Sequence, residues 1–304
     1  MPTGKLNARI EQVRQASSIH GGLFNMWLMK MGVKLSRVPI PSQRLRLKLY
    51  RTIYGKKYPA LVEDDLEHPL ESYRSFNALF TRGIRPELRP LPEEADHFVS
   101  PCDGTVQDVG VVDQQAELTV KGTKYSVGSL LADTDETPFR GGRYAIFFLS
   151  PADCHRVFAP QDGMLEEICH VPGRRLLVHP PYQREEYPVF TLNERVVMRF
   201  STNFGPMAVV MVAGWGVGNI THPFSTGLKR RSRLVQRRRF KDPRPVERGE
   251  WIGTFELGST VILLTSPHEA LMPLIAAEDK VQYGGGVFAN GVSMTNGHRD
   301  EDPR

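Results

Sequence analysis

Cysteine is scarce in this chain, with three in 304 residues. Cys102, Cys154 and Cys169 form no CxxC pair and no zinc-type spacing, which excludes a disulfide framework and points to a reducing compartment. Long apolar runs are missing as well. No stretch approaches about 18 uninterrupted apolar residues, so no spanning helix is expected, and the first residues contain no apolar core of signal-peptide type. Strands do not alternate with long helices, which argues against a doubly wound parallel sheet. No internal repeat is clear enough to use.

What is present is a globular composition, 40% hydrophobic and 24% charged, sufficient for one large core or two modest ones. The net charge of +5 is unevenly spread. From Ser259 onward three basic residues face six acidic ones, a net of −3, which leaves +8 on the part through Gly258. An anionic partner would therefore meet that larger part.

Up to about Leu91 the pattern reads as helices broken at Pro39, Pro41 and Pro59, with a short helix over Ser72 to Phe80. From Phe98 the chain becomes short apolar or alternating runs between glycine and proline: Gly104 to Val112, Arg143 to Leu149, Arg195 to Phe200, Met207 to Val212 and Thr260 to Thr265. The expected fold is α+β, N-terminal helices followed by a mainly antiparallel β core, sandwich- or barrel-like. The expected regions are a helical, membrane-associating 1–91, a β-rich catalytic 92–289 and a disordered tail at 290–304.

The densest chemical signal is Leu257-Gly258-Ser259-Thr260, set before the apolar run Val261 to Leu264. Gly258 has no Cβ, so it can take φ > 0 and leave its carbonyl open to the next hydroxyl. With a base and an oxyanion donor, the Ser259 hydroxyl would add to that carbonyl and give an ester. Elimination and hydrolysis would then leave a pyruvoyl group and ammonia. Alone, the tetrapeptide also reads as an ordinary strand entered through a Gly-Ser turn.

Other stretches give it context: Ser72 to Asn77 with Phe80-Thr81-Arg82, Ser100-Pro101-Cys102-Asp103-Gly104, and Ser150-Pro151-Ala152-Asp153-Cys154-His155-Arg156. Further on come Asn193-Glu194-Arg195, Gly216 to Ile220, and Gly249-Glu250 leading through Gly253 to Glu256 into the tetrapeptide. In this order they resemble the phosphatidylserine decarboxylase family, from about Ser72 to about Gly285. The resemblance implies self-cleavage between Gly258 and Ser259 into a large and a small fragment, with a pyruvoyl cofactor derived from Ser259. It further implies phosphatidylserine as substrate, phosphatidylethanolamine and CO₂ as products, and a homodimer.

The resemblance also matches Asp103 to the family's catalytic aspartate and His155 to the first histidine of its His-Arg-x-His pattern. His155 is the expected base, with Asp103 holding its tautomer. It would also protonate the carbanion left when CO₂ departs. The second histidine position holds Phe158. In relatives with both histidines one is associated with processing and the other with decarboxylation, so His155 serves both steps, another group is recruited, or one step is lost. Cys154, in place of a common tyrosine, reads as packing. His170, His179, His222 and His268 cannot be ranked from sequence, and nothing calls for a metal or pyridoxal phosphate.

Two segments bear on partners. Leu23 to Leu35, rich in Met and aromatics and followed by the basic stretch Arg44 to Lys57, reads as a helix lying on an anionic membrane surface or packed on the core. Lys229-Arg230-Arg231-Ser232-Arg233 with Arg237-Arg238-Arg239 and Lys241 reads as a headgroup patch or a solvated hairpin; nucleic acid is not expected, because aromatic residues are few there. The expected location is peripheral to a membrane on its reducing side, the cytoplasmic side in a bacterium. Two other functions stay open: a pyruvoyl decarboxylase of a soluble amino acid such as tryptophan, and a non-enzymatic lipid- or nucleic-acid-binding protein on the same scaffold.

Overall fold

The computed structural model describes residues 22–57, 63–133, 135–178, 188–214, 219–224, 227–228, 232–256 and 258–291. Helices Gly22–Ser36 and Gln43–Lys57 open it. The break between them holds Pro39 and Pro41, which lack an amide donor and disfavour helical geometry in the residue before them. Arg46, buried on the second helix, donates to the Ile40 and Glu71 carbonyls at 2.7 and 2.8 Å. The Tyr50 hydroxyl donates to the Tyr73 carbonyl at 3.0 Å. Both tie the helix to a small apolar cluster of Tyr50, Tyr54, Leu66, Leu70, Tyr73 and Leu79. The short helix expected from Ser72 is Phe76–Phe80, begun by Ser75, whose Oγ accepts from the Ala78 amide at 3.1 Å.

Beyond residue 97 the chain is β-rich. In chain order the strands are β1 (Phe98–Val99), β2 (Gly104–Val111), β3 (Glu117–Val120), β4 (Thr123–Ser126), β5 (Arg143–Leu149), β6 (Arg156–Phe158), β7 (Gly163–Val171) and β8 (Arg195–Thr202). They continue as β9 (Gly205–Ala213), β10 (Ile220–Thr221), β11 (Gln236–Val246), β12 (Trp251–Phe255), β13 (Ser259–Thr265), β14 (Leu271–Pro273), β15 (Lys280–Val281) and β16 (Gly286–Asn290). Eight form one antiparallel sheet in the order β11-β7-β8-β9-β13-β5-β2-β15.

β13 lies inside this sheet between β5 and β9, and every one of its residues is buried. Val261 and Leu263 pack on one face with Val157, Ala213 and Phe255; Ile262 and Leu264 pack on the other with Tyr125, Phe190 and Val212. Burial on both faces explains why the strand reads as an unbroken apolar run. Cutting Ile262 or Leu263 back to alanine would cost about 2–5 kcal/mol.

The small sheets β10-β12-β6 and β1-β16-β14 contribute Val157, Ile252, Phe255, Phe98 and Phe288 to the first cluster, which makes the core sandwich-like. The barrel-like part of the expectation does not hold, because β11 and β15 stay as open edges. β15 offers only two residues, and Pro243 and Pro245 of β11 have no N–H to pair. Arg37, just after the first helix, pairs with Glu256 just after β12. That contact joins the helical layer to the chain approaching Ser259.

Candidate active site

Ser259 opens β13, opposite Leu149 at the end of β5 and Ala213 at the end of β9. Strand alternation puts its side chain on the face of Val261 and Leu263. Gly258 has φ +29°, and its carbonyl accepts from the Gly214 amide at 3.0 Å. A Cβ on residue 214 would stand 2.8 Å from that oxygen, so the close approach needs glycine there. Ser259 is 0% exposed, and its Oγ has no hydrogen-bond partner among the described residues. A buried hydroxyl without a partner among the described residues, beside a carbonyl held by a backbone amide, is an arrangement for acyl transfer.

His155 ends the loop that leaves β5 at Ser150, and its carbonyl accepts from the Phe255 amide at 2.9 Å. The loop therefore starts one residue past the partner of Ser259 and ends against a residue four positions before it. His155 has the parity of Val157, which packs in the cluster of Val261 and Leu263. The imidazole is 0% exposed, with the Phe80 ring at a centroid distance of 3.9 Å. Its Nδ1 lies 3.0 Å from the Asp153 carbonyl. A carbonyl only accepts, so Nδ1 carries the proton and Nε2 the lone pair. Nε2 has no partner among the described residues. Burial, assisted by the Arg82 cation, pushes the pKa down to about 3 against the upward pull of the Asp153 hydrogen bond. The ring is a neutral base with its lone pair open.

Arg82 donates to the carbonyls of Ala152 and Asp153. Phe80-Thr81-Arg82 thus supplies both a wall over the imidazole and a clamp on the loop that sets its tautomer. Cys154 is buried, its thiol pushed up to about 11 by burial, and its Sγ donates to the Arg82 carbonyl at 3.4 Å. It is a packing residue, as its sequence context indicates.

Asp103 does not hold the tautomer of His155, because the Asp153 carbonyl does. Its carboxylate takes Nε and Nη2 of Arg89 at 3.3 and 2.8 Å and the Tyr283 amide at 2.8 Å. Phe158 has the opposite strand parity to Val157 and stacks on the Tyr283 ring at 3.9 Å, and Arg89 lies 5.3 Å from the same ring. The Phe158 amide donates to the Pro101 carbonyl, two residues before Asp103. Asp103 and position 158 therefore share one neighbourhood, and His155 turns to the other side of β6. Nothing in the local sequence around Arg89 or Tyr283 marks either residue for this role.

The remaining histidines divide. His170 and His222 bring their Nε2 atoms within 3.0 Å of each other, His268 packs on Phe204, and His179 lies outside the described residues. Among the described residues no three metal-ligating side chains cluster. Lys229 to Arg231 and Leu257 also lie outside them. Arg237 bonds Asp133 and Glu167 at 2.9 and 2.7 Å, and Arg239 bonds Glu167 at 2.7 Å, so part of the expected basic patch is internal ion pairing.

On the first helix Phe24, Trp27, Leu28, Met31 and Leu35 are exposed at helical spacing, with Phe24 at 70% and Leu35 at 64%. No helix of the described residues is long and apolar enough to cross a membrane.

Comparison with known proteins agrees with this geometry. The sequence model of the family described as phosphatidylserine decarboxylase matches residues 76–289. The phosphatidylserine decarboxylase proenzyme of Bordetella avium is 36% identical over 236 residues, covering 76% of this chain and 79% of that protein. The proenzyme of Halorhodospira halophila is 36% identical over 256 residues, covering 83% and 85%. That of Alkalilimnicola ehrlichii is 33% identical over 255 residues, covering 81% and 88%. With the strand-opening serine, the glycine carbonyl before it and the buried neutral histidine in place, the chain belongs to the phosphatidylserine decarboxylase family.

Proposed function

We propose that the chain cuts itself between Gly258 and Ser259, forms a pyruvoyl group at position 259, and decarboxylates phosphatidylserine to phosphatidylethanolamine at an anionic membrane surface. The observation that carries this is the buried, unpaired Ser259 Oγ next to a Gly258 carbonyl pinned by the Gly214 amide. These residues fit the cofactor, since the group needs only a serine whose hydroxyl can reach the preceding carbonyl.

Ser259 Oγ adds to the Gly258 carbonyl carbon, its proton passes to His155 Nε2, and the π pair moves to oxygen. Collapse breaks the C–N bond, and His155 returns the proton to nitrogen, leaving an ester and a free amine. Burial keeps water from competing with Oγ at this stage. Loss of the Ser259 Cα proton expels the ester oxygen, with its bond pair, as the Gly258 carboxylate. Water then displaces the nitrogen as ammonia and leaves the keto group, with no oxidant or reductant required. The small fragment would carry β13 between β5 and β9 of the large one, so the two stay assembled.

The keto group supplies an electron sink for the pair left by departing CO₂. His155, neutral at rest, takes a proton from the incoming ammonium and returns it to the carbon that lost CO₂. Asp103 acts as a positioning residue: through Arg89 and the Tyr283 amide it fixes the Pro101–Gly104 turn on which residue 158 sits. The apolar face of helix Gly22–Ser36 enters the headgroup boundary, and the next helix, Gln43–Lys57, carries the exposed cations Arg44 and Lys48. Three buried free thiols suit the reducing, cytoplasmic side.

The test is the intact mass of the denatured protein beside Ser259→Ala, followed by CO₂ release from phosphatidylserine vesicles and from free amino acids. Fragments ending at Gly258 and beginning with a pyruvoyl group, an uncut variant and vesicle-dependent CO₂ are expected. A wild-type chain that stays whole would sink the reading. Release from tryptophan alone would move the substrate to a soluble amino acid.

A further inference from the structure

Asn193 lies within a motif that the proposed chemistry leaves without a role. It is 0% exposed, and each of its side-chain polar atoms is engaged. Oδ1 accepts from the Leu176 amide at 2.9 Å, while Nδ2 donates to the Leu176 carbonyl at 2.9 Å and the Ala213 carbonyl at 2.8 Å. The orientation of the amide follows from these partners, since an N–H must meet Oδ1 and two carbonyls must meet Nδ2. Its own backbone is held at both ends, the amide by the Val189 carbonyl at 3.0 Å and the carbonyl by Arg195 at 3.0 Å.

The Ala213 carbonyl and the Gly214 amide belong to one peptide group. Its oxygen receives the Asn193 side chain, and its N–H points at the Gly258 oxygen. A donor on the carbonyl end of a peptide strengthens the N–H at the other end, because the hydrogen bonds polarise one another. We infer that Asn193 is a positioning residue for self-cleavage: it orients and polarises the 213–214 peptide, whose N–H stabilises the negative charge that develops on the Gly258 oxygen when Ser259 attacks. The inference rests on the self-cleavage reading above.

Three further observations favour it. Gly214 sits between the Gly258 carbonyl and Val178, with room on neither side for a Cβ. Ala213 is fixed on its other flank by its own amide, which donates to the Glu194 carbonyl at 2.8 Å. The oxyanion forms in a site without solvent exposure at Ser259, where a fixed donor acts most strongly.

The experiment follows radiolabelled full-length chain after cell-free translation, timing its conversion to two fragments, with Ser259→Ala as the uncut reference. Gly214→Ala should slow cleavage about 100-fold, the scale of a lost oxyanion donor, and Asn193→Ala at least about tenfold. Leu192→Ala, a buried chain neighbour whose side chain packs in a different apolar cluster from Ala213 and makes no hydrogen bond to the 213–214 peptide, should lower the melting temperature yet cleave within about twofold of wild type. Hydroxylamine, which attacks an accumulated ester, should not speed the Asn193 variant, because the slowed step precedes the ester.

Cleavage of Asn193→Ala at the wild-type rate, equal slowing in Leu192→Ala, or rescue by hydroxylamine would each overturn the inference. If Asn193→Ala does not accumulate as folded protein, Gly214→Ala still decides, since unimpaired cleavage with that Cβ present would also overturn it. A wild-type chain that is never cut at 258/259 removes the self-cleavage reading and this inference together. Cut wild type with unaffected variants removes this inference alone.

Discussion

His155 donates a hydrogen bond from Nδ1–H to the carbonyl of Asp153, two residues upstream and 3.0 Å away. That bond is local to the loop, and Arg82 clamps the same carbonyl. The tautomer is therefore set by backbone geometry without a carboxylate partner. The result is a base that stays uncharged until a proton is delivered to it. Such a ring presents a free Nε2 lone pair to Ser259 or to a substrate ammonium, and its lowered pKa means that a proton it accepts is readily passed on.

The depressed pKa has a consequence for stability. His155 titrates near 6.5 when unfolded and near 3 when folded, chiefly through desolvation. Between those values the unfolded chain takes a proton that the folded chain refuses. The contribution is therefore full above about pH 6.5 and is lost as pH falls toward 3. At about pH 5 the loss is about 2 kcal/mol. Urea titrations of Ser259→Ala at about pH 7.5 and pH 5, with and without His155→Phe, should show this difference disappear with the histidine. Taking the difference removes the opposing effect of Asp153, whose pKa burial raises. Equal pH slopes in the two proteins would contradict a neutral, buried His155.

The Arg89–Asp103 pair is nearly buried, with side chains 8% and 10% exposed. Removing one partner leaves an uncompensated charge, so Arg89→Met should cost about 3–5 kcal/mol. Asp103→Asn in the same chain keeps an acceptor for the Tyr283 amide and removes the orphaned charge. The double variant should regain more than half of the loss in urea denaturation. A single variant as stable as wild type would show that Asp103 is held by other means.

Membrane docking is tested on the exposed helix face. Trp27 and Leu35 are exposed, so Trp27→Glu and Leu35→Glu should leave the melting temperature unchanged. Each buries about 2 kcal/mol worth of apolar surface on docking, so each should weaken flotation with anionic vesicles by about tenfold or more. Undiminished flotation would place the lipid contact elsewhere on the molecule.

The sheet was legible where its strands obey simple rules. β13 is apolar at every position because both faces are covered, and its neighbours β5 and β9 were bounded to within two residues by their glycines and their apolar runs. Ser259, Gly258 and His155 stand out in the sequence through the ordered motifs that resemble the family, together with chemistry that lies in the side chain or in a φ that glycine adopts freely. Gly214, Arg89 and Tyr283 were not. Their roles come from backbone groups and contacts between segments 14 to 180 residues apart, and no local spacing encodes those. The open edges of the sheet were hidden for the same reason, since closure depends on how β11 and β15 meet, not on either sequence alone.

Phe158 offers the sharpest discrimination. Its ring stacks on Tyr283, whose amide donates to Asp103, and its own amide is bonded to Pro101. An imidazole in its place would stand in the neighbourhood of Asp103, on the opposite side of β6 from His155. If His155 is the base for processing, Phe158→His should leave the cleavage rate within about twofold of wild type and lower stability by about 1 kcal/mol through the weakened stack. In the same assay His155→Gln should stay uncut, because a glutamine amide has no basic lone pair to take the Ser259 proton. A large acceleration in Phe158→His that survives in the double variant with His155→Gln would transfer the base to position 158. That outcome would make Asp103 its direct partner, and it would confine His155 to the decarboxylation step, where the returning proton still needs a carrier.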